Sequence, residues 1–179
     1  MSEHIVDKIG LFVGSDTGNT DEIGQMLIDR WKVSEIELID APNMTAADYD
    51  RFQIIIIGLP TWYDGELQSD FDAFYEEFKT IDFSGKAVAM FGLGDQTGYP
   101  EFFVDGLGIL GQVILDNGGY VFGMWPNEGY EFDESKGLYN EDLFYGLALD
   151  FENQMDLNES RLESWIEQIE KEIEEMVEV

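Results

Sequence analysis

The stretch Ser15-Asp16-Thr17-Gly18-Asn19-Thr20 separates a short apolar segment from an amphipathic one. Residues 8–14 (KIGLFVG) are apolar and partly β-branched, which predicts a buried strand of a parallel sheet. The residues after the stretch predict a helix with one apolar face, formed by Ile23, Met26, Leu27 and Trp31. A hydroxyl-rich loop between a strand and a helix points backbone N–H groups, hydroxyls and the positive end of the helix dipole at one spot. We therefore expect an anion to bind at this loop.

The loop differs from the two common phosphate-binding motifs. It lacks the lysine of GxxxxGK[ST] and the three glycines of the dinucleotide fingerprint. It contains no Lys or Arg, and Asp16 adds a negative charge. Neutral hydrogen bonds would therefore hold the anion, which suits a monophosphate better than a triphosphate. Taken alone, the stretch is equally consistent with an ordinary turn that caps a helix.

Length and composition restrict the class of protein. A chain of 179 residues predicts a single domain, residues 1–179, with a substantial core. The absence of cysteine excludes disulfides and thiolate metal sites. The single histidine, His4, lies in a polar N-terminal segment where we expect it to be solvated, so we expect neither a Ser/His/Asp triad nor histidine-ligated zinc. Apolar runs such as residues 54–59 are too short to span a bilayer, and the N-terminus lacks the pattern of a signal peptide. We expect a cytoplasmic protein.

The chain is strongly acidic, with 39 Asp and Glu against 9 Lys and Arg and a formal net charge of −30. This charge would repel nucleic acids and anionic membranes, so we expect neither nucleic-acid binding nor membrane insertion. The charge is consistent with simple solubility or a salty environment. It is also consistent with electrostatic steering toward basic surfaces of partner proteins.

Strands and helices alternate about five times, which predicts an α/β fold with a doubly wound, five-stranded parallel sheet. The predicted strands are residues 8–14, 35–39, 53–59, 86–93 and a fifth that begins at 120–123. The later predicted helices are residues 69–79, 102–117 and one that starts near Asn158. We expect Pro60 to end the third strand.

The fifth predicted strand is interrupted. Residues 124–142 are acidic, aromatic and rich in turn-forming residues, and apolar character resumes only at residues 143–149. We interpret residues 124–142 as an insertion within one strand. The insertion is either a docking surface or a plain structural elaboration.

Two further loops follow the third and fourth predicted strands, at residues 60–67 (PTWYDGEL) and 92–99 (GLGDQTGY). Ligands of such sheets lie beyond the carboxyl ends of the strands, so we expect these loops to meet the SDTGNT loop. Each loop carries a large aromatic residue, Trp62 or Tyr99. A single exposed aromatic needs no function, but two beside one anion site suggest plates around a flat ring. Backbone groups of Gly94 and Asp95 would then bond the edge of the ring.

These three motifs, in this order, resemble those of the flavodoxins, specifically the long-chain type whose fifth strand is interrupted. SDTGNT resembles the phosphate loop of the family, PTWYDGELQSDF its tryptophan loop and GLGDQTGYPEFF its tyrosine loop. WPNEGYEF in the insertion and the final helix around Ser164-Trp165 match as well. Two departures are Val13, where the family signature often has an aromatic residue, and Gly24, where alanine is usual. The resemblance implies strand order 2-1-3-4-5 and non-covalently bound FMN.

The resemblance also implies which residues contact FMN. They are Ser15, Asp16, Thr17, Gly18, Asn19 and Thr20; Pro60, Thr61, Trp62, Tyr63, Asp64 and Gly65; and Leu93, Gly94, Asp95, Gln96 and Tyr99. Trp62 and Tyr99 would sandwich the ring. The Tyr63-Asp64 peptide would face flavin N5, and we hypothesise that it flips on reduction, which requires a positive φ at Asp64. No catalytic residue and no metal site are implied.

The implied function is low-potential, one-electron transfer, with FMN shuttling between semiquinone and hydroquinone and no substrate turnover by the chain itself. The implied partners of this monomer are redox proteins with basic docking surfaces: a reductase as donor, and an acceptor of the photosystem I or nitrogenase type. One alternative is a flavin-dependent NAD(P)H oxidoreductase of flavodoxin-like fold, but no basic cluster for an NADP phosphate is present. Another is a receiver-like interaction domain, but the paired acidic residues expected after its first strand are absent.

Overall fold

A computed structural model describes residues 8–178 as a sheet with helices packed on both of its faces. His4 lies outside the described residues. The long strands are β1 (Lys8–Val13), β2 (Glu35–Asp40), β3 (Ile54–Trp62) and β5 (Ala87–Leu93), and β4 (Glu66–Leu67) is a short strand antiparallel to the end of β3. With β6 (Tyr120–Phe122), the sheet has the order β2-β1-β3-β5-β6. Counting only the parallel strands, this is the predicted order 2-1-3-4-5.

The fifth strand of the sheet consists of two pieces. The first piece, β6, pairs with residues 87–89 of β5, and the second, β9 (Leu147–Leu149), pairs with residues 91–93. The intervening chain contains β7 (Trp125–Pro126) and β8 (Leu143–Phe144), which pair with each other in a small antiparallel sheet. Both pieces lie against the same neighbour, which confirms the predicted interruption.

The helices are α1 (Asn19–Arg30), α2 (Ala46–Asp50), α3 (Ser69–Phe78), α4 (Asp105–Asp116) and α5 (Met155–Glu178), with a 3-10 turn at Ala41–Asn43. They cover a hydrophobic core on each face of the sheet. Along β3, Ile55 and Ile57 face one core while Ile54 and Ile56 face the other. Because both faces are buried, the strand is a continuous apolar run without polar alternation. None of the helices described between residues 8 and 178 has the length and apolar character needed to span a bilayer.

Pro60 does not end β3, as the sequence analysis expected, because the strand continues to Trp62. The carbonyl of Gly58 accepts a hydrogen bond from the N–H of Gly14, so it faces β1. The backbone nitrogen of Pro60, two residues further along, faces the same side of the strand. It lies beyond the last residue of β1, Val13. Because no residue of β1 lies opposite this nitrogen, no N–H donor is needed there and a proline is tolerated.

Two predicted helix starts are also wrong. Helix α5 begins at Met155, and Asn158 lies inside it, buried, with both polar atoms of its side-chain amide unpaired within the described part of the chain. The carboxylate of Asp150 orders the turn before this helix instead, since it accepts from the N–H groups of Glu152 and Asn153. Helix α4 begins at Asp105 because Val104 has a left-handed backbone conformation, with φ 47°.

The two residues that depart from the family signature are neighbours in space. A Cβ atom built at Gly24 would lie 3.2 Å from a methyl group of Val13. Gly24 leaves room for the β-branched side chain of Val13 at the contact between β1 and α1.

The insertion has its own anchor in Tyr130. The Tyr130 hydroxyl donates to the carbonyl of Ala148 at 2.7 Å and accepts from the indole N–H of Trp125 at 2.9 Å. The guanidinium of Arg161 lies 4.2 Å from the centre of the ring. Burial raises the pKa of the Tyr130 hydroxyl to about 12. The neutral hydroxyl therefore ties the insertion to β9.

We expect Tyr130→Phe to lower the free energy of unfolding by about 1–2 kcal/mol at neutral pH, because two hydrogen bonds are lost. Since the pKa is raised in the folded state, the extra stabilisation of the wild type is complete below pH 10 and disappears as the pH rises to about 12. The wild type should therefore lose more stability than the variant over this interval, as measured by urea unfolding. Tyr139→Phe is the control, because Tyr139 is half exposed. Equal pH dependence in wild type and Tyr130→Phe would contradict this role.

Candidate functional site

The SDTGNT loop leads directly into α1 and leaves hydrogen-bond donors free. Gly18 precedes the helix with φ 96°, a conformation that favours glycine, and a Cβ atom there would meet no other atom within 4 Å. The Gly18 N–H donates to the hydroxyl oxygen of Ser15 at 3.0 Å. No side chain caps α1, so the first N–H groups of the helix remain available. The loop thus offers a set of neutral donors at a helix N-terminus.

The carboxylate of Asp16 is not directed at these donors. Its Oδ1 accepts from the side-chain amide of Gln68 at 3.0 Å and from the hydroxyl of Ser69 at 2.8 Å. The fully buried Gln68 also caps α3, because its Oε1 accepts from the N–H groups of Asp70 and Phe71. The carboxylate of Asp16 therefore joins the loop to the start of α3. Only the backbone N–H of Asp16 is available to bind an anion.

The three loops meet at one cleft of about 140 Å³. From the predicted site, the lining residues are Thr17, Asn19, Thr20, Pro60, Thr61, Trp62, Tyr63, Leu93, Gly94, Asp95 and Tyr99. Phe151 and Glu152, which the sequence analysis missed, line it as well. A second cavity of about 510 Å³ shares Thr17, Trp62 and Tyr63 with this cleft and is also lined by Asp16, Glu66 and Asp72. Ser15, Gly18, Asp64, Gly65 and Gln96 line neither space.

The tryptophan loop is a tight hairpin between β3 and β4. Its turn, residues 63–65, has positive φ at Tyr63 (43°) and Gly65 (84°), so in this structure the left-handed residues flank Asp64. The peptide flip with positive φ at Asp64 stays a prediction. Short turns of this kind require left-handed residues to match the twist of the paired strands.

Aromatic rings form the walls of the cleft. Tyr63 is 57% and Tyr99 38% exposed, and the ring of Tyr63 lies 6.0 Å from Trp62 and 6.1 Å from Tyr99. The indole N–H of Trp62 is buried and has no acceptor among residues 8–178. A buried donor without a partner costs free energy, so this N–H marks a place for an acceptor on a ligand.

The tyrosine loop is anchored to the rest of the protein by the side chain of Gln96. Its side-chain N–H donates to the carboxylate of Asp150 at 2.8 Å, and its Oε1 accepts from the N–H of Glu131 in the insertion at 2.6 Å. The backbone N–H of Gln96 also donates to the Asp150 carboxylate, at 3.1 Å, so only its backbone carbonyl is left for a ligand. The N–H of Gly94 is also engaged, because it donates to the carbonyl of Leu149 at 2.9 Å. The Asp95 carbonyl accepts from the N–H of Tyr99, so of the backbone groups expected to bond the ring edge, the Gly94 carbonyl and the Asp95 N–H remain.

Sequence reasoning also missed Gln68 and Asp105, the buried polar residues behind the loops. Asp105 is buried at the start of α4, and burial raises the pKa of its carboxyl. The signal for Asp105 was a lone acidic residue in the apolar, glycine-rich segment of residues 105–111. For Gln68, the signal was a position directly before a helix that starts Ser-Asp. Neither signal indicates what the side chain contacts.

Neutral donors, aromatic walls and one unpaired indole N–H fit a phosphate ester that carries a flat ring. The residues that line the cleft include no Lys or Arg. Among residues 8–178, no cluster of three or more His, Asp or Glu side chains could hold a metal ion. The site therefore suits an organic cofactor held by hydrogen bonds and stacking.

Comparisons with known proteins agree with this geometry. The family profile described as Flavodoxin matches residues 11–165. The chain belongs to the flavodoxin family. Flavodoxin 1 of Escherichia coli is 42% identical to it over 164 residues, which cover 92% of this chain and 93% of that protein. A Nostoc flavodoxin is 44% identical over 165 residues, which cover 92% of this chain and 96% of that protein.

A solved structure extends the similarity to three dimensions. The crystal structure of Fusobacterium nucleatum flavodoxin bound to flavin mononucleotide matches with a TM-score of 0.87 and 31% identity, covering 92% of this chain and 98% of that one. The resemblance of the chain to flavodoxins is thereby confirmed, as is the flavodoxin fold.

We expect Gln68→Met, which keeps the volume of the side chain, to lower the free energy of unfolding by about 1–3 kcal/mol. The variant leaves two N–H groups of α3 uncapped and removes the donor to Asp16. Urea unfolding of the apoprotein measures the effect. Gln112→Met is the matched control, since Gln112 is an exposed glutamine of α4. If both variants unfold at the same urea concentration, Gln68 does not anchor the loop.

Proposed function

We propose that this flavodoxin carries single electrons on a non-covalently bound FMN between redox proteins and turns over no substrate of its own. The observation that carries the proposal is the meeting of three loops at one cleft, with free donors on one side and aromatic walls on another. FMN supplies the redox chemistry when it is bound, and the protein binds and orients it. The FMN in the Fusobacterium structure supports this choice of cofactor.

The phosphate is held at the SDTGNT loop. Free N–H groups at the start of α1 and the hydroxyls of Thr17 and Thr20 are its donors, and the Ser15 hydroxyl can donate while it accepts from Gly18. Gly18 leaves open space in front of the helix. Neutral donors bind a phosphate without cancelling its charge, so the site keeps the negative potential of the chain.

The ring of the cofactor lies among the aromatic residues Trp62, Tyr63 and Tyr99. The indole N–H of Trp62 then gains an acceptor, and the carbonyl of Gly94 with the backbone of Asp95 bonds the ring edge. Asp64 and Gly65 contribute through the hairpin turn, and Gln96 contributes through its backbone carbonyl, since its N–H donates to Asp150. The assignments of Trp62, Tyr63, Gly94, Asp95 and Tyr99 follow from the cleft lining. Those of Asp64, Gly65 and Gln96, which lie outside this lining, follow from the resemblance to flavodoxins.

The charge of the chain sets both the potential and the choice of partners. A net charge of −30 opposes the addition of a further negative charge in the cleft, which favours a low reduction potential. Exposed carboxylates lie in the cleft lining (Glu152), in the neighbouring cavity (Glu66 and Asp72) and in the hairpin turn (Asp64). They favour partners with basic docking surfaces: a reductase as donor, and an acceptor of the photosystem I or nitrogenase type. Electrostatic repulsion between two such chains favours a monomer. The proposal also includes a single domain and a cytoplasmic location.

Stepwise anaerobic reduction of the purified holoprotein tests the function. We expect visible flavin absorption that disappears in two resolved one-electron steps, with little oxidation of added NADPH or NADH. A single two-electron step with rapid NAD(P)H oxidation would indicate the oxidoreductase alternative. Protein that remains colourless after addition of FMN would reject the cofactor and, with it, the proposed roles of the three loops.

We expect Thr17→Val to weaken FMN binding at least tenfold, because a hydrogen bond to a charged group contributes about 1.5–3 kcal/mol. Thr17 is exposed, so the protein should keep its stability. Riboflavin, which lacks the phosphate, should bind the variant and the wild type equally, as measured by quenching of flavin fluorescence. Thr97→Val, an exposed threonine outside the cleft lining, is the control. An equal loss of riboflavin and FMN affinity would place Thr17 away from the phosphate.

A further inference from the structure

The chain just before α4 is a junction between the tryptophan loop and the insertion. At its centre, Val104 is fully buried and has φ 47° and ψ 36°. A β-branched residue in this left-handed conformation is strained, so the surrounding contacts must hold it there. The strain fixes the direction in which the next residue, Asp105, leaves the junction.

The carboxylate of Asp105 contacts both neighbours of the junction. Its Oδ1 accepts from the N–H of Lys136 in the insertion at 2.8 Å. Its Oδ2 lies against Gly65 in the hairpin turn, only 2.7 Å from the position of a Cβ atom built there. Glycine is therefore required at position 65 for two reasons: the backbone has φ 84°, and the Asp105 carboxylate occupies the space that a Cβ atom would need. Oδ2 has no hydrogen-bond donor among the described residues, so it is free to interact with the turn.

Further contacts lock the two sides of the junction. On the loop side, the N–H of Gly106 donates to the hydroxyl of Thr61 at 2.9 Å. On the insertion side, the hydroxyl of Ser135 donates to the carbonyl of Phe103 and accepts from the N–H of Gly137. A Cβ atom at Gly137 would lie 2.6 Å from the carbonyl oxygen of Val104. The insertion therefore packs closely on the strained segment.

We propose that Asp105 is a positioning residue that holds the turn of residues 63–65 in place and links it to the insertion at residues 135–137. The proposal rests on the proposed function, since this turn belongs to the FMN cleft. A carboxylate can accept on both oxygens at once, whereas an amide of the same shape cannot. In Asp105→Asn, either Lys136 loses its acceptor or an NH₂ group replaces the oxygen that faces Gly65.

The charged groups around Asp105 are Lys136 and Glu134, both in the insertion. Burial raises the pKa of the Asp105 carboxyl, and the N–H and the charge of Lys136 oppose this shift. Glu134 is exposed, and the side chains nearest to a Cβ atom at Gly65 are those of Asp105 and Phe102, not that of Glu134. Glu134→Gln is therefore a matched control, because it removes one negative charge from the same region and leaves the contact with Gly65 intact.

The experiment compares wild type, Asp105→Asn and Glu134→Gln with FMN added. The first measurement is the backbone amide NMR shifts of residues 63–65 and 136–137. The second is the ratio of the FMN dissociation constants of the oxidised and the one-electron-reduced protein. For Asp105→Asn we expect shifts in both segments and about a tenfold change in this ratio, which equals about 59 mV for a one-electron couple. Glu134→Gln should leave residues 63–65 unshifted and change the ratio less than threefold.

An Asp105→Asn variant that matches Glu134→Gln in both measurements would overturn the proposal. If Asp105→Asn does not fold, Ser135→Ala replaces it, because Ser135 contacts the junction but not the turn. Shifts at residues 63–65 in Ser135→Ala would support the link, and their absence would reject it. The NMR comparison also applies to the apoprotein. A wild type without flavin absorption would thus reject the proposed function while still allowing a decision on Asp105.

Discussion

The parallel direction of β1, β3 and β5 determines where the site lies. Each strand ends at the same edge of the sheet, so the loops that follow them must lie side by side there. The strands themselves are fixed by burial on both faces, as the alternation of isoleucines along β3 shows. A slip of one residue in any strand would move apolar side chains to the wrong core and displace its loop. The cores therefore set the relative positions of the loops before any ligand is present.

Each of the three loops also has a buried polar residue behind it. Gln68 joins the SDTGNT loop to α3, Gln96 joins the tyrosine loop to Asp150, and Asp105 lies beneath the tryptophan loop. Apolar packing tolerates many arrangements of similar volume, whereas a buried polar group is costly unless its partners are correctly placed. These anchors therefore select one geometry for loops that the cores only bring together. The hydroxyls, N–H groups and rings of the cleft remain free for a ligand because the anchors lie elsewhere.

Periodicity and the direction of parallel strands were sufficient to predict the interrupted fifth strand and the meeting of the three loops, whereas the strand order was implied by the resemblance to flavodoxins. The sequence was misleading at Pro60, since the position of a missing donor depends on where the neighbouring strand ends. It was also misleading at Asn158, a residue type that suits a helix start and yet lies buried within α5. The anchors were not predictable, because Gln68 and Asp105 act through partners that lie far away in the sequence or in other loops. Local patterns encode elements, but they do not encode such long-range pairs.

The insertion is part of this anchoring system. Its backbone supplies the donor to Gln96 through Glu131 and the donor to Asp105 through Lys136. Without it, the Oε1 of Gln96 and the Oδ1 of Asp105 would have to find water or remain unpaired, at a cost of about 1–3 kcal/mol for each buried group. Two of the three loops would then lose a fixed point, while the SDTGNT loop, which depends on Gln68, would keep its own. The insertion that splits the fifth strand is thus held in place by the same polar side chains, Gln96 and Asp105, that position the loops of the cleft.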